Sequence, residues 1–153
     1  MCRSGTGNAP TGNQTSGEIS MHRTIELPPE PASIRTARKF VRSVCRDRGI
    51  NAETCDDACL VANELVANVV DHAGTPCVLT VMVGSDGLRI TVEDADPGSL
   101  PTLRPLDVTA RRGRGLQMIA AMSTACGVRV RAAGKAVWAQ LSTARPAMAG
   151  LSC

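Results

Sequence analysis

The sequence predicts an α/β fold of the α+β kind, a two-layer sandwich whose mixed, largely antiparallel sheet has its helices on one face. Two observations support this prediction. Segments with helical spacing of apolar residues are interleaved with strand-like runs, in the order strand, helix, helix, hairpin, loop, helix, hairpin. The chain has 153 residues, 43% apolar and 20% charged, which suffices for one domain with its own core but not for two.

Aromatic residues are nearly absent, since Phe40 and Trp138 are the only two. The core is therefore expected to consist of Val, Leu, Ile, Ala and Met. The same scarcity argues against stacking of single-stranded nucleic acid on aromatic side chains. The formal net charge of +3 permits an acidic or phosphorylated partner without requiring one. We see neither a signal peptide nor an apolar run long enough to span a bilayer, so no membrane association is expected.

The seven cysteines are an odd number and include no Cys-x-x-Cys pair. We expect them to be reduced in a cytoplasmic protein and to behave as small apolar residues, with Cys45, Cys59, Cys77 and Cys126 buried. Cys55 and Cys59 share a helix face, but the chain has only two histidines, so a zinc site is not expected.

The first half of the chain predicts a tail, a strand and two helices. Residues 1–20 are rich in Gly, Ser, Thr, Asn and Pro and are expected to be disordered, so the domain is predicted to span 21–142. Asn51 or Thr54 is predicted to cap the second helix. The predicted bounds are 22–27 for the strand and 32–48 for the first helix, and the second helix is predicted to run from this cap to near Gly74.

The second half predicts two hairpins, separated by a long loop and a short helix. The predicted elements are strands over 77–83 and 88–94, a helix over 116–123, and strands over 127–131 and 136–141. The loop over 95–112 contains three prolines and is long for a compact domain, which is typical of a functional or mobile segment. Residues 143–153 are expected to form a flexible tail.

The second helix combines a wide apolar face with a line of polar residues. Glu64 and Asn68 are four residues apart and so lie on one face, one turn above the other, and His72 continues the line. A carboxylate and a carboxamide that point the same way from a mostly buried helix are costly unless something polar lies in front of them. Taken alone, the pair is equally explained as the exposed stripe of an amphipathic helix.

Two further segments carry residues suited to a nucleotide. In Asp94-Ala95-Asp96-Pro97-Gly98, an acid ends a strand and leads into a turn. Gly113-Arg114-Gly115-Leu116 begins a helix and is preceded by Arg111 and Arg112. Each segment alone is weak evidence, because an aspartate at a strand end is most often a turn or cap residue.

Together the three segments fit the binding of a nucleoside triphosphate. Glycines let the backbone approach phosphates, and the N-terminus of a helix offers unpaired N–H groups to an anion. The arginines add charge-assisted contacts. The Asn68 carboxamide suits Mg²⁺, and the Glu64 carboxylate one turn away can accept a proton from an attacking hydroxyl group or water. A P-loop is excluded, because Gly134-Lys135 lacks the upstream glycine and is followed by Ala136.

These motifs resemble those of the GHKL (Bergerat-fold, histidine-kinase-like) ATPases, which include DNA gyrase, sensor histidine kinases and a heat-shock chaperone. More closely, they resemble the actinobacterial anti-sigma-factor serine kinases, over about residues 22–141. The segment from Glu64 to Ala73 matches the N box of that branch. The resemblance implies that Glu64 is the catalytic base and that Asn68 binds Mg²⁺.

The resemblance also implies roles for the other two segments. Asp94 falls where the family's acid binds the adenine amino group, and Gly98 ends the family's Asp-x-Gly-x-Gly motif, whose first glycine is Asp96 here. Gly113-Arg114-Gly115-Leu116 matches the second glycine box beside the ATP lid, and Arg111 matches a basic residue near the γ-phosphate. Relatives often carry a threonine where this chain has Ala136, with its hydroxyl near the adenine-binding acid, so one hydrogen bond there is expected to be missing.

The function that the resemblance implies is that of a cytoplasmic anti-sigma factor. It would sequester a sigma factor and, using ATP and Mg²⁺, phosphorylate a serine of an anti-anti-sigma partner with a STAS domain. Relatives form dimers, which implies a homodimer. The departures at Asp96 and Ala136 leave open a second interpretation, a non-catalytic partner-binding module with weak or lost nucleotide binding. Direct nucleic-acid binding by the scattered arginines is not expected, because no DNA-reading motif accompanies them.

Overall fold

The computed structural model describes residues 21–96, 98 and 114–144. Within these residues, the helices and strands follow one another in the predicted order. Their bounds are β1 Met21–Leu27, α1 Ala32–Asp47, α2 Ala52–Asn68, a π-helical turn Val69–Ala73, β2 Cys77–Gly84, β3 Gly87–Asp94, α3 Arg114–Met122, β4 Ala125–Arg131 and β5 Gly134–Leu141. The tail expected over 1–20 lies outside the described residues, as do most of the 95–112 loop and all of the C-terminal tail beyond residue 144.

The strands form one antiparallel sheet in the order β1-β2-β3-β5-β4. The turn between β2 and β3 ends at Gly87, which has a φ of +112°. A side chain at Gly87 would also collide with the carbonyl oxygen of Leu141, so this turn requires glycine. β3 pairs with β5, and β4 pairs with the other edge of β5. All pairings in the described part of the chain are antiparallel, which confirms the prediction of a largely antiparallel sheet.

Both long helices pack on one face of the sheet. Alternate residues of the inner strands point to this face and are fully buried, among them Leu79, Ile90 and Ala139. They belong to the same core as the buried sides of α1 and α2, represented by Val41 and Val61. The core consists of aliphatic and small residues, as the composition predicts. The prediction of a two-layer fold with helices on one face is confirmed.

The connection between α1 and α2 is a short turn with a defined cap at each side. Gly49 has a φ of +63°, and the N–H of Ile50 donates to the carbonyl of Cys45 at 2.9 Å, which ends α1. Asn51 Oδ1 accepts a hydrogen bond from the N–H of Thr54 at 2.9 Å. Asn51 is therefore the cap of α2, one of the two residues that the sequence proposes.

The end of α2 differs from the prediction of one continuous helix. After Asn68, Val69–Ala73 form a π-helical turn, which ends at Gly74 with a φ of +61°. A π turn holds one more residue between its hydrogen-bonded groups than an α turn, so residues after Asn68 rotate away from the α-helical line. His72 is exposed and does not follow the line on which the sequence places it.

β4 also begins earlier than the sequence predicts, at Ala125 rather than residue 127. The N–H and the hydroxyl of Thr124 both donate to the carbonyl of Gln140, at 2.8 and 3.1 Å, so pairing with β5 starts directly after α3. Cys126 on this edge strand is exposed, so the expectation that it is buried is wrong. Cys45, Cys59 and Cys77 are buried as expected. No helix among the described residues is long and apolar enough to cross a membrane.

Candidate functional site

Glu64 and Asn68 lie in the C-terminal half of α2, beside its buried face. Val61, Leu65 and Val66 are buried in the core, which fixes the rotation of the helix about its axis. Glu64 and Asn68 are both partly buried, and Asn68 is the last residue of α2. The pair is therefore not a fully solvated stripe, and partly buried polar groups of this kind require polar neighbours.

Gly115, the second residue of α3, lies directly against Glu64. A Cβ atom at Gly115 would collide with the Glu64 carboxylate, and the carboxylate carbon would be only 3.0 Å from it. The absence of a side chain at this position therefore allows the start of α3 to approach Glu64 closely. The structure thus brings together the first and the third of the segments that the sequence singles out.

Apolar contacts hold α3 in this position. Ile119 is buried, and Leu116 and Met122 pack against the same core as α2. Leu116, predicted as a site residue, therefore packs its partly buried side chain against the core. Arg114 is the first residue of α3. The predicted site residues Arg111 and Gly113 lie outside the described residues.

Asp94 is the last residue of β3, and its side chain is only 1% exposed. Oδ1 accepts hydrogen bonds from the N–H of Asp96 at 2.8 Å and from Nζ of Lys135 at 3.1 Å. Oδ2 lies 3.0 Å from the same Nζ but accepts no aligned hydrogen bond from any described residue. The carboxylate therefore keeps one buried acceptor that is not satisfied, which is unusual in a folded protein.

Lys135 is the contact of Asp94 that sequence reasoning missed. It stands directly opposite Asp94 in the register of β3 and β5, and its side chain is 7% exposed. Nζ also donates to the carbonyl of Asp96 at 3.0 Å. The signal in the sequence was an acid at the end of one predicted strand and a base directly before another, and the two become neighbours only if these strands pair antiparallel.

The register also corrects the expectation for Ala136. This residue pairs with Glu93, and side chains alternate between the two faces of a strand. Ala136 therefore points to the side of the sheet away from Asp94. Lys135 occupies the position beside Asp94, so the alanine removes no hydrogen bond from that carboxylate.

Asp96, which replaces the first glycine of the expected motif, organises the turn that follows β3. Its Oδ1 accepts a hydrogen bond from the N–H of Gly98 at 2.9 Å, as in an Asx turn. Its carbonyl accepts from Lys135, and its N–H donates to Asp94. Gly98, predicted as a site residue, is exposed at the end of this turn. The backbone of Asp96 is thus hydrogen-bonded to both members of the buried ion pair.

Cys77 lies opposite Asp94 on the other neighbouring strand, β2. Burial raises the pKa of the Cys77 thiol to about 11, and the negative charge of Asp94 adds to the rise. Cys77 is therefore a neutral thiol at physiological pH rather than a nucleophile. Within the described ranges, no group of three or more His, Cys, Asp or Glu side chains forms a metal site.

Comparisons with known proteins agree with this architecture. A family model described as the histidine kinase-like ATPase domain matches residues 27–141. Among solved structures, the chain is similar to the crystal structure of the RsbU and RsbW domains of Rv1364c from Mycobacterium tuberculosis, with a TM-score of 0.64 and 21% identity. The match covers 83% of this chain but 34% of that one, so the chain spans about a third of its length, and the likeness concerns the fold alone. No curated protein matches the chain.

Proposed function

The chain belongs to the histidine kinase-like ATPase family, and we propose that it binds ATP with Mg²⁺ on the side of the sheet that carries α2, α3 and Asp94. The observation that carries this proposal is the contact between Glu64 and Gly115. It brings a carboxylate of α2 against the start of α3, and the N-terminus of a helix suits an anionic ligand.

The described residues fit the ATP and Mg²⁺ that the family implies. Asp94 Oδ2 is a buried acceptor without an aligned donor among the described residues, as an exocyclic amino group of adenine requires. Asn68 offers a carboxamide oxygen, and Mg²⁺ binds such oxygens together with phosphate oxygens and water. The N-terminus of α3, which begins at Arg114, would face the phosphates.

The remaining predicted residues complete the proposed site. Gly98 and Gly113 would let the backbone approach the nucleotide, because they have no side chain. Arg111 and Arg114 would neutralise phosphate charge through charge-assisted hydrogen bonds. Leu116 would contribute a backbone N–H from the first turn of α3, because its partly buried side chain packs against the core.

We further propose that the chain is an anti-sigma factor that acts by partner switching. It would sequester a sigma factor and phosphorylate a serine of a STAS-domain anti-anti-sigma partner. Bound ATP would supply the phosphoryl group, and Mg²⁺ would offset its charge. Glu64, held at the start of α3, would accept the proton of the serine hydroxyl. The resemblance of the segment from Glu64 to Ala73 and the likeness to a structure that contains an RsbW domain support this choice.

The ion pair between Lys135 and Asp94 favours a second candidate function, a non-catalytic module that binds the same partners. The proposed adenine-binding acid already has a charged partner at 3.0 Å. A nucleotide would then gain less binding free energy from a hydrogen bond to Asp94 than from one to an acid without a charged partner. Sequestration of a sigma factor would depend on surface complementarity alone.

Transfer of labelled phosphate separates the two candidates and tests the role of Glu64. We expect the chain, incubated with γ-labelled ATP, Mg²⁺ and a STAS-domain partner, to label a serine of that partner. Glu64→Gln keeps the shape of the side chain but cannot accept a proton, so the rate should fall by about 10²- to 10⁴-fold while ATP still binds.

Glu53→Gln is the matched control, because Glu53 lies exposed in the first turn of the same helix. It should label the partner at the wild-type rate. Wild-type labelling by Glu64→Gln would contradict the base assignment. A wild-type chain that binds its partner but labels no serine would support the non-catalytic module.

A further inference from the structure

The ion pair between Asp94 and Lys135 limits the hydrogen bonds that Asp94 can offer to a nucleobase. A free carboxylate has two oxygens that can accept from two adjacent donors. Here Oδ1 already accepts from the N–H of Asp96 at 2.8 Å and from Lys135 Nζ at 3.1 Å. Oδ2 lies 3.0 Å from the same Nζ but accepts no aligned hydrogen bond from any described residue, so it holds one charged contact where Oδ1 holds two donors. The Asp94 side chain therefore presents one acceptor rather than two.

The position of Lys135 is itself fixed. Its Nζ donates to Asp94 Oδ1 and also to the carbonyl of Asp96, at 3.0 Å, so the ammonium group bridges the end of β3 and the turn that follows. The side chains of Lys135 and Asp94 are 7% and 1% exposed, so bulk water screens this ion pair only weakly. Rotation of the carboxylate would break two hydrogen bonds to Oδ1 at once.

The third neighbour of Asp94 does not change this arrangement. Cys77 lies opposite Asp94 on β2, and its buried thiol is neutral and a weak donor. Among the described residues, Lys135 is the cation in contact with Asp94. The orientation of the carboxylate is thus set by Lys135 and by the backbone of Asp96.

We propose that Lys135 is a positioning residue that determines base specificity by leaving Asp94 a single acceptor. Adenine offers one exocyclic amino group, which fits Oδ2 alone. Guanine offers a ring N–H and an adjacent amino group, which together require both carboxylate oxygens. The inference rests on the proposed function, because it requires that the base of a bound nucleotide reaches Asp94.

Binding of three nucleotides tests the inference. The affinities of ATP, GTP and ITP in the presence of Mg²⁺ are measured by calorimetry for the wild type and for Lys135→Met. The wild type should prefer ATP. In Lys135→Met, Oδ1 becomes free for a second donor, so the ratio of GTP affinity to ATP affinity should rise by at least about tenfold. ITP lacks the guanine amino group and should gain less.

Arg131→Met is the matched control, because it removes a positive charge from the same hairpin without touching Asp94. The Arg131 side chain is exposed and lies 3.7 Å from Glu93, on the opposite face of the sheet. The ratio of GTP affinity to ATP affinity in Arg131→Met should equal that of the wild type. An unchanged ratio in Lys135→Met, with ATP bound by the wild type, would overturn this inference and leave the proposed function intact. Failure of the wild type to bind ATP would contradict both.

Lys135→Met leaves an unpaired buried charge and could fail to fold. In that case Asp94→Asn tests whether Lys135 sets the orientation of the Asp94 side chain. Lys135 can only donate, so it would hold the amide oxygen in the place of Oδ1, and the amide NH₂ group would replace Oδ2. ATP affinity should then fall by at least about tenfold relative to ITP, whose base offers an oxygen acceptor. Retention of the wild-type preference for ATP would show that Lys135 does not set the orientation.

Discussion

Glu64 and Gly115 are the two residues whose contact is central to the proposed site. A side chain at Gly115 would collide with the Glu64 carboxylate, which is the far end of a flexible side chain. Such a collision is relieved when the side chain moves, and it does not require the backbone to shift. A substitution at Gly115 should therefore affect the position of the proposed base more than the stability of the fold.

Gly115→Ala should displace the Glu64 carboxylate and lower the rate of phosphate transfer to the STAS partner by at least about tenfold. Alanine favours a helix over glycine by up to about 1 kcal/mol, and this gain offsets the cost of moving the Glu64 side chain, so the free energy of unfolding should not fall. Denaturant unfolding and the transfer rate are measured on the same preparation. Transfer at the wild-type rate would contradict the proposed function of this contact, whereas a large loss of stability would show that the backbone cannot adapt.

The sequence indicated residue types for the candidate site but not the contacts between them. Glu64, Asn68 and Asp94 follow from helical spacing and from the position of an acid at a strand end. Lys135 could not be found in this way, because its contact with Asp94 depends on the register of strands that are distant in sequence. The expectation that Ala136 removes a hydrogen bond near Asp94 was wrong for the same reason, because the register decides which face of the sheet a strand residue points to.

At the scale of secondary structure, α2 positions both Glu64 and Asn68, and its start depends on one cap. Asn51→Ala removes the hydrogen bond from Thr54 N–H to the Asn51 side chain, so the free energy of unfolding should fall by about 1 kcal/mol. Asn51→Ser, which can make the same hydrogen bond, should restore most of it. Denaturant unfolding measures both variants. Equal stability of the alanine and serine variants would show that the cap contributes nothing measurable.

The order of the elements was predictable because apolar periodicity differs between helices and strands. The π-helical turn after Asn68 was not, because the apolar residues Val69 and Val70 fit either kind of turn. This turn lies directly after Asn68, and π-helical turns are frequent at functional sites. The backbone after the proposed Mg²⁺ ligand thus follows a path that apolar spacing alone does not reveal.

At the scale of the whole molecule, the helices cover one face of the sheet, and the proposed site lies on that same side. The antiparallel sheet, the buried aliphatic core and the family match over 27–141 agree with one another. Sigma-factor binding, STAS-partner binding and a homodimer stay predictions. Surfaces for partners could not be predicted from the sequence, because they depend on exposed residues that no periodicity marks.

The most direct test of the central proposal is the binding of Mg-ATP measured by calorimetry for the wild type, Asn68→Ala and Asn63→Ala. Asn63 is the matched control, because it is a partly buried asparagine on the same helix. The wild type and Asn63→Ala should bind with similar affinity. Asn68→Ala should lose at least about tenfold, because Mg²⁺ loses its carboxamide ligand. Absence of wild-type binding at millimolar ATP, or equal binding by Asn68→Ala, would contradict the proposal.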